Sequence, residues 1–98
     1  MIYRSPEPDI EIPRVTLAEH VLGGAPARGE HPALIDGATG GVTTYAGLAE
    51  QVDAVAALLQ SEGIGRGDVV ALIGGNSPEW AIAYFGILRA GGVVTPMN

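Results

Sequence analysis

Few residues in this chain belong to the types that usually perform catalysis or bind metals. The 98-residue sequence contains no cysteine, and its five Lys-or-Arg positions are all arginine. Without lysine, the chain supplies no Schiff-base amine, no P-loop ammonium and no ammonium group at a transferring phosphate or adenylate. Without cysteine, it supplies neither disulfide bonds nor thiolate metal ligands. Several large classes of enzyme chemistry are therefore excluded for these residues.

The remaining candidates for chemistry are isolated from one another. His20 lies in a predicted short helix and His31 in a loop before Pro32, and neither has acidic partners at the spacing of a metal site. No serine has a histidine nearby in the sequence, so no nucleophile is indicated. We expect no catalytic, cofactor-binding or metal-ligating residue among these positions.

Three glycine-rich segments suggest phosphate binding, but only one is well placed for it. Gly63–Asp68 precedes a predicted strand and lacks the ending of a P-loop, and Thr39–Gly41 lies inside a predicted hairpin turn. Gly74–Ser77 follows a predicted strand and begins a helix, where open α/β sheets and helix dipoles favour anions. We favour a tight turn with a helix cap at Gly74–Ser77, and a small-anion site there is the alternative.

The elements that would position these residues begin after an extended arm. Three prolines among acidic residues predict this arm over residues 1–15. Thr16 and Glu19 have the spacing of a capping box, which predicts a short helix over residues 17–22. A glycine pair directly after this helix should end it.

A β-hairpin and an amphipathic helix are predicted next. Apolar and β-branched residues at 33–36 and 42–45 flank a glycine-rich turn, which is typical of a hairpin. Thr44 is suited to cap the helix that follows. The apolar residues of this helix recur at steps of four, three and four and should form one buried stripe: Leu48, Val52, Val55 and Leu59.

The last third of the chain predicts two parallel strands joined by a helix. Val69–Ile73 is a continuous apolar run, as expected of a strand buried on both faces. Asn76 or Ser77 should begin a helix that is apolar almost all round and therefore needs contacts on more than one side. Val93–Thr95 should return parallel to the first strand through a right-handed crossover.

Composition and charge limit the partners of the chain. Its net charge is −6 and its arginines are scattered, which argues against nucleic acid. No apolar run approaches the roughly 20 residues of a membrane-spanning helix, and the N-terminus lacks the apolar core of a signal peptide. We expect a cytoplasmic protein. The hydrophobic share of 47% is high for such a short chain, and this suggests a face to be covered by other segments or by a partner.

Taken in order, several stretches resemble the N-terminus of the adenylate-forming acyl- and aryl-CoA synthetases, especially the 4-coumarate–CoA ligase group. The resemblance covers nearly the whole chain. It rests on the following stretches: Ile2–Pro6, Asp9–Pro13, Pro32–Asp36, Thr43–Leu48, Gly63–Val70, Asn76–Trp80, Arg89–Gly92 and Pro96–Asn98.

The resemblance implies a much longer enzyme that uses ATP, Mg²⁺ and CoA. Such an enzyme converts a carboxylic acid, for example 4-coumarate or a related aryl or fatty acid, to an acyl-adenylate and then to a CoA thioester. In that family the phosphate-binding loop, the acid pocket and the catalytic lysine lie beyond the region that resembles this chain. No catalytic residue is therefore carried over.

The resemblance also implies an α/β fold in which residues 16–98 form the first, incomplete part of the large N-terminal domain. We expect this partial three-layer unit to be a truncated piece of the ligase, inactive alone, with the remainder of the ligase or a second copy as partner. The alternative is a free-standing small α/β module. Such a module would self-associate, or bind a partner, through exposed strand edges and its apolar helix.

Overall fold

The computed structural model describes residues 1–98 and confirms the predicted α/β class. Residues 1–15 form no helix or strand and are exposed throughout. Eight helices and strands follow, with two small sheets between the helices. They are α1 (Leu17–Leu22), α2 (Ala25–Arg28), β1 (Pro32–Ile35), β2 (Val42–Thr44), α3 (Tyr45–Ser61), β3 (Val69–Ile73), α4 (Pro78–Arg89) and β4 (Val93–Met97).

The first two helices are short, and only one of them was predicted. Thr16 caps α1 by accepting the backbone N–H of Glu19 at 3.2 Å, as expected, but the Glu19 carboxylate makes no return bond. The one-turn helix α2 follows the glycine pair directly. Pro26 lies in its first turn, where a missing N–H is tolerated. Gly29 ends α2 with φ 48°, a conformation that favours glycine.

The hairpin is as predicted, and the structure supplies its register. β1 and β2 pair antiparallel with Ile35 opposite Val42, and the register shifts between Pro32 and Leu34. The shift lies at the end of the hairpin away from its turn, next to a proline that donates no ladder hydrogen bond. The hairpin leads straight into α3 without a connecting loop.

The amphipathic helix α3 also begins and packs as predicted. Thr44 Oγ1 accepts the backbone N–H of Gly47 at 3.1 Å and caps the helix. Leu48 and Val52 of the stripe are buried, whereas Val55 and Leu59 are half-buried. The helix ends at Ser61, two residues before Gly63, which takes the left-handed conformation with φ 87°.

The core lies where α3 and α4 cross. Leu22, Leu48, Val52 and Ile82 form its buried cluster, and Val52 has no exposed surface. At the crossing point, a Cβ atom on Gly86 would lie 2.6 Å from Cβ of Val55. Only glycine permits this separation of the two helices, because real Cβ contacts are never that short.

The remaining elements form the predicted β-α-β unit. Ser77 caps α4 by accepting the N–H of Trp80 at 3.2 Å. β3 and β4 pair in parallel with Val69 opposite Val93. The second strand runs to Met97, two residues beyond the predicted end, because its pairing with β3 continues through Ile73. α4 contacts α1, α3 and both strands, as its apolar surface predicted.

The prediction that β3 is buried on both faces is wrong within this chain. Val69 and Ile73 are 65% and 66% exposed, and they alternate with the half-buried Val70 and Leu72. α4 covers one face of the two-stranded sheet and leaves the other open. An apolar run thus indicated the strand correctly, but the second covering layer is not supplied by these residues.

The molecule as a whole has an extended shape and a small core. Its radius of gyration is 16.0 Å, against about 13 Å for a compact domain of this length. The exposed arm accounts for much of this difference. Only 11 of 98 residues are buried, and none of them is charged or polar. No helix has both the length and the apolar character needed to cross a membrane.

The helix crossing predicts an unusual response to a glycine substitution. In an unobstructed helix, Gly→Ala raises stability by about 1 kcal/mol. Gly86→Ala should instead lower the free energy of unfolding by about 1–3 kcal/mol, because the methyl group forces α3 and α4 apart. Gly75→Ala, in the turn before α4, is the control for an added methyl group that meets no obstacle, since no atom lies within 4 Å of the added carbon. Urea unfolding followed by circular dichroism measures the free energy of unfolding of both variants. A Gly86→Ala variant more stable than the unsubstituted chain would contradict the close contact of α3 and α4 at this position.

The boundary of the arm is tested by limited trypsin digestion. Trypsin cleaves after lysine and arginine, and this chain offers only arginines. Arg4 and Arg14 lie in the exposed arm, whereas Arg28 and Arg89 are held by side-chain contacts. Mass spectrometry should show the first cuts after Arg4 and Arg14, leaving residues 15–98 intact. A first cut after Arg66 would place the boundary elsewhere.

Candidate functional site

The best-placed candidate site is the turn between β3 and α4. Asn76 and Ser77 of this turn face the end of β1 across a shallow cavity of about 240 Å³. Trp80 lies at the rim of this turn, with its Cδ1 atom 3.9 Å from the Cβ position of Gly74. The cavity is lined by Leu34, Ile35, Asp36, Gly37, Asn76, Ser77 and Pro78.

The charges around this cavity do not suit a phosphate. Asp36 is the only ionisable residue in the lining, and no basic side chain contributes to it. The Asp36 carboxylate accepts the backbone N–H of Ala38 at 2.8 Å, and the Ser77 hydroxyl caps α4. A carboxylate opposite a helix N-terminus repels the anion that the helix dipole would otherwise attract. The geometry favours the turn and cap over an anion site.

The other two glycine-rich segments use their backbone N–H groups internally. In Gly63–Asp68, the N–H of Gly65 donates to the Asp68 carboxylate at 2.8 Å, and the N–H of Gly67 donates to the Gly91 carbonyl at 3.3 Å. In Thr39–Gly41, the N–H of Gly41 donates to the Thr39 hydroxyl at 3.1 Å. A phosphate cradle needs free N–H groups that converge on one point. These segments are turns.

The histidines and the aromatic residues have structural surroundings. His20 and His31 are exposed, and no group of three or more His, Asp and Glu residues is arranged to hold a metal. Trp80 stacks on Tyr84 with ring centroids 5.3 Å apart, and Tyr84 meets Phe85 edge-on at 5.4 Å. Phe85 packs against the core cluster, which joins these rings to the core.

One contact that joins the N-terminal helices to the rest of the fold was not predictable from the sequence. The Arg28 guanidinium lies 5.1 Å from the ring centroid of Tyr45 and donates a hydrogen bond to its hydroxyl at 3.1 Å. The two residues are 17 positions apart, and no local spacing pattern pairs them. The contact joins the end of α2 to the start of α3 and is worth about 0.5–1 kcal/mol at an exposed position.

The most distinctive surface is the uncovered face of the β3–β4 sheet, which we call the outer face. Strand alternation and the parallel register bring together Val69 with Val93, Ala71 with Thr95, and Ile73 with Met97. All six residues are exposed, and none is charged. Its four large side chains are 49–66% exposed. The outer face is suited to packing rather than chemistry.

The family comparison assigns this architecture. Residues 24–98 match the model of the AMP-binding enzyme family. The chain belongs to this family. It is 39% identical, over 100% of its own length, to 4-coumarate–CoA ligase 3 of Oryza sativa subsp. japonica, and it spans 18% of that relative.

Solved structures agree with this membership. The N-terminal subdomain of Klebsiella oxytoca NpsA, in complex with 3-hydroxybenzoyl-AMSN, aligns with 85% of this chain, and the aligned part is 21% of the NpsA chain. Its TM-score is 0.76 and its identity 32%. The anthranilate CoA ligase AuaEII, in complex with anthranoyl-AMP, aligns with 89% of this chain, and the aligned part is 17% of the AuaEII chain. The TM-score is 0.79 and the sequence identity is 25%. The predicted resemblance is confirmed.

The unsuitable charge at the β3–α4 turn predicts that phosphate and ATP do not bind there. Trp80 is the only tryptophan and lies next to Gly74, so its fluorescence reports on the turn. Titration with phosphate or ATP should give no saturable change in the Trp80 fluorescence, because Asp36 faces the cavity and no cation there balances the negative charge of the ligand. A saturable change that disappears in Asn76→Ala would establish the anion site instead.

Proposed function

We propose that this chain is the first part of the large N-terminal domain of an ATP-dependent carboxylic acid–CoA ligase. The observation that carries the proposal is its similarity, along its entire length, to 4-coumarate–CoA ligase 3. The proposed parent enzyme converts an acid and ATP to an acyl-adenylate and pyrophosphate, and then transfers the acyl group to CoA with release of AMP. An aryl acid such as 4-coumarate is the substrate class that the relative supports.

Within that enzyme, we assign these residues to the scaffold. They include no lysine, and the turns at Thr39–Gly41 and Gly63–Asp68 use backbone N–H groups in their own hydrogen bonds. The residues around the cavity do not fit ATP, Mg²⁺ or CoA, since a single carboxylate is their only charge. Binding of all three belongs to the rest of the proposed ligase. This chain contributes the packed α3–α4 pair and a sheet against which further layers can assemble.

A free-standing self-association module is the second candidate, and the exposed outer face is the observation that favours it. A module of this kind should form dimers at micromolar concentration, and light scattering measures this directly. The reading frame beyond codon 98 separates the two proposals. A frame that continues into a Ser/Thr/Gly-rich loop with lysine supports the ligase, whereas a stop codon supports the module. A cytoplasmic location stays an expectation from the sequence in either case.

The isolated chain should show no ligase activity. Incubation with ATP, Mg²⁺, CoA and a panel of aryl and fatty acids should release no pyrophosphate above a protein-free control, because the chain contributes no group that binds or activates them. Release of pyrophosphate that depends on both the acid and the chain would contradict the scaffold role.

A chimaera tests the scaffold role positively. In it, this chain replaces the matched segment of the rice 4-coumarate–CoA ligase 3. The chimaera should fold and form 4-coumaroyl-CoA, because the catalytic residues of the rice enzyme are retained. The matched control carries Gly86→Leu, which should abolish folding and activity by separating α3 from α4. The proposal would be contradicted if the chimaera without the Gly86→Leu substitution failed to fold, while the rice enzyme prepared in parallel was active.

A further inference from the structure

The turn of the β1–β2 hairpin contains the one aspartate of this chain that is followed by glycine. The residues that follow the aspartates are Ile10, Gly37, Ala54 and Val69. The side-chain carboxyl group of an aspartate can be attacked by the backbone nitrogen of the next residue, and a side chain on that residue hinders the attack. Because Gly37 has no side chain, the attack is least hindered at Asp36.

The backbone nitrogen of Gly37 is free to react in the folded chain. Its N–H donates no hydrogen bond, whereas the N–H of Ala38 donates to Oδ1 of Asp36 at 2.8 Å. This bond folds the carboxyl group back along the chain toward the Gly37 nitrogen. Gly37 is exposed and Asp36 is half-buried beside an open cavity, so water reaches both residues.

The other aspartates lack this combination of features. Asp53 lies inside α3, where the backbone N–H groups are committed to the helix. The Asp68 carboxylate accepts the N–H of Gly65 at 2.8 Å, and the residue that follows Asp68 is β-branched. Asp9 lies in the exposed arm, but it too precedes a β-branched residue, whose two substituents on Cβ crowd the backbone nitrogen.

We propose that Asp36–Gly37 is a site of spontaneous modification, at which the peptide linkage isomerises to isoaspartate through a cyclic imide. The Gly37 nitrogen attacks Cγ of the Asp36 carboxyl group in its acid form. A C–N bond forms, and the carboxyl hydroxyl group leaves as water together with the amide proton. The reaction needs only this dipeptide and water, so it does not depend on the proposed function.

Hydrolysis of the imide determines the product. Water adds to one of the two ring carbonyls and breaks the bond between that carbon and nitrogen. Cleavage at the side-chain carbonyl restores aspartate. Cleavage at the main-chain carbonyl leaves the backbone running through Cβ and Cγ, with the α-carboxylate as a branch. No oxidant, reductant or further reactant is required.

Isomerisation changes the geometry of the hairpin turn. Two hydrogen bonds of Asp36 close this turn: its N–H donates to the Gly41 carbonyl at 2.8 Å, and its carbonyl accepts the N–H of Gly40 at 2.8 Å. In isoaspartate that carbonyl becomes part of the free carboxylate, and the turn gains one backbone atom. The modification therefore alters the hairpin at the end that faces Asn76 and Ser77.

Ageing of the folded chain tests the proposal. The chain is incubated for several weeks at physiological temperature and digested with trypsin, and the peptides are labelled by isoaspartyl methyltransferase with radioactive S-adenosylmethionine. Cleavage after arginine places Asp36 in the peptide of residues 29–66 and Asp9 in that of residues 5–14. Label should increase with time in residues 29–66 and exceed that in residues 5–14 several-fold. No label in residues 29–66, or equal labelling of the two peptides, overturns the proposal.

Matched variants assign the label within residues 29–66. A Cβ atom at Gly37 meets no atom within 4 Å, and φ there is not positive, so Gly37→Ala should keep the turn, which circular dichroism checks. It should lower the label several-fold, because the methyl group hinders the attack. Asp36→Asn should raise the label, since an amide reaches the same imide by releasing ammonia more readily than the acid releases water. Unchanged labelling in either variant overturns the proposal.

Discussion

The close crossing of α3 and α4 at Gly86 is the constraint on which the other elements depend. Because no side chain separates the helices there, Val55 lies directly against the backbone of α4. Val52 and Ile82 meet beside this point, and Leu22 brings α1 into the same cluster. The Asp53–Arg89 ion pair spans the exposed edge of the helix pair at 3.2 Å, but exposed pairs of this kind contribute little. Packing, rather than charge, holds the two helices.

From this crossing the β3–β4 sheet acquires one covered face and one open face. One side of α4 packs against α3, and another side of α4 packs on the two strands. The nearly continuous apolar surface of α4 requires contacts on both sides. The close approach of Gly92 to the Asp68 carbonyl then brings β4 beside β3. Nothing in these residues covers the outer face. A small core and a large open apolar surface are therefore two results of the same arrangement, and both suit a unit that is completed by further layers.

The glycine-rich turns illustrate how a structural role can resemble a binding motif. Each has the composition of a phosphate loop, and one lies at a helix N-terminus. In the structure, N–H groups of Thr39–Gly41 and Gly63–Asp68 donate to a nearby hydroxyl, carboxylate or carbonyl, and the cavity beside Gly74–Ser77 is lined by a carboxylate. Membership of the AMP-binding family is therefore compatible with a chain that binds no nucleotide itself.

Local signals in the sequence determined most of the helices and strands. Thr16, Thr44 and Ser77 cap their helices through short-range hydrogen bonds, which spacing alone reveals. The apolar run of β3 likewise identified a strand, and the missing lysine excluded amine chemistry. The short helix α2 escaped prediction, because one turn leaves no periodicity to detect.

Only the tertiary structure decided the features that depend on residues far apart in the sequence. These include the need for glycine at position 86, the Arg28–Tyr45 contact and the open face of β3. Periodicity reports which side of an element is apolar, but not which other element reaches it. For that physical reason the sequence predicted a strand covered twice, whereas the fold of these residues covers it once.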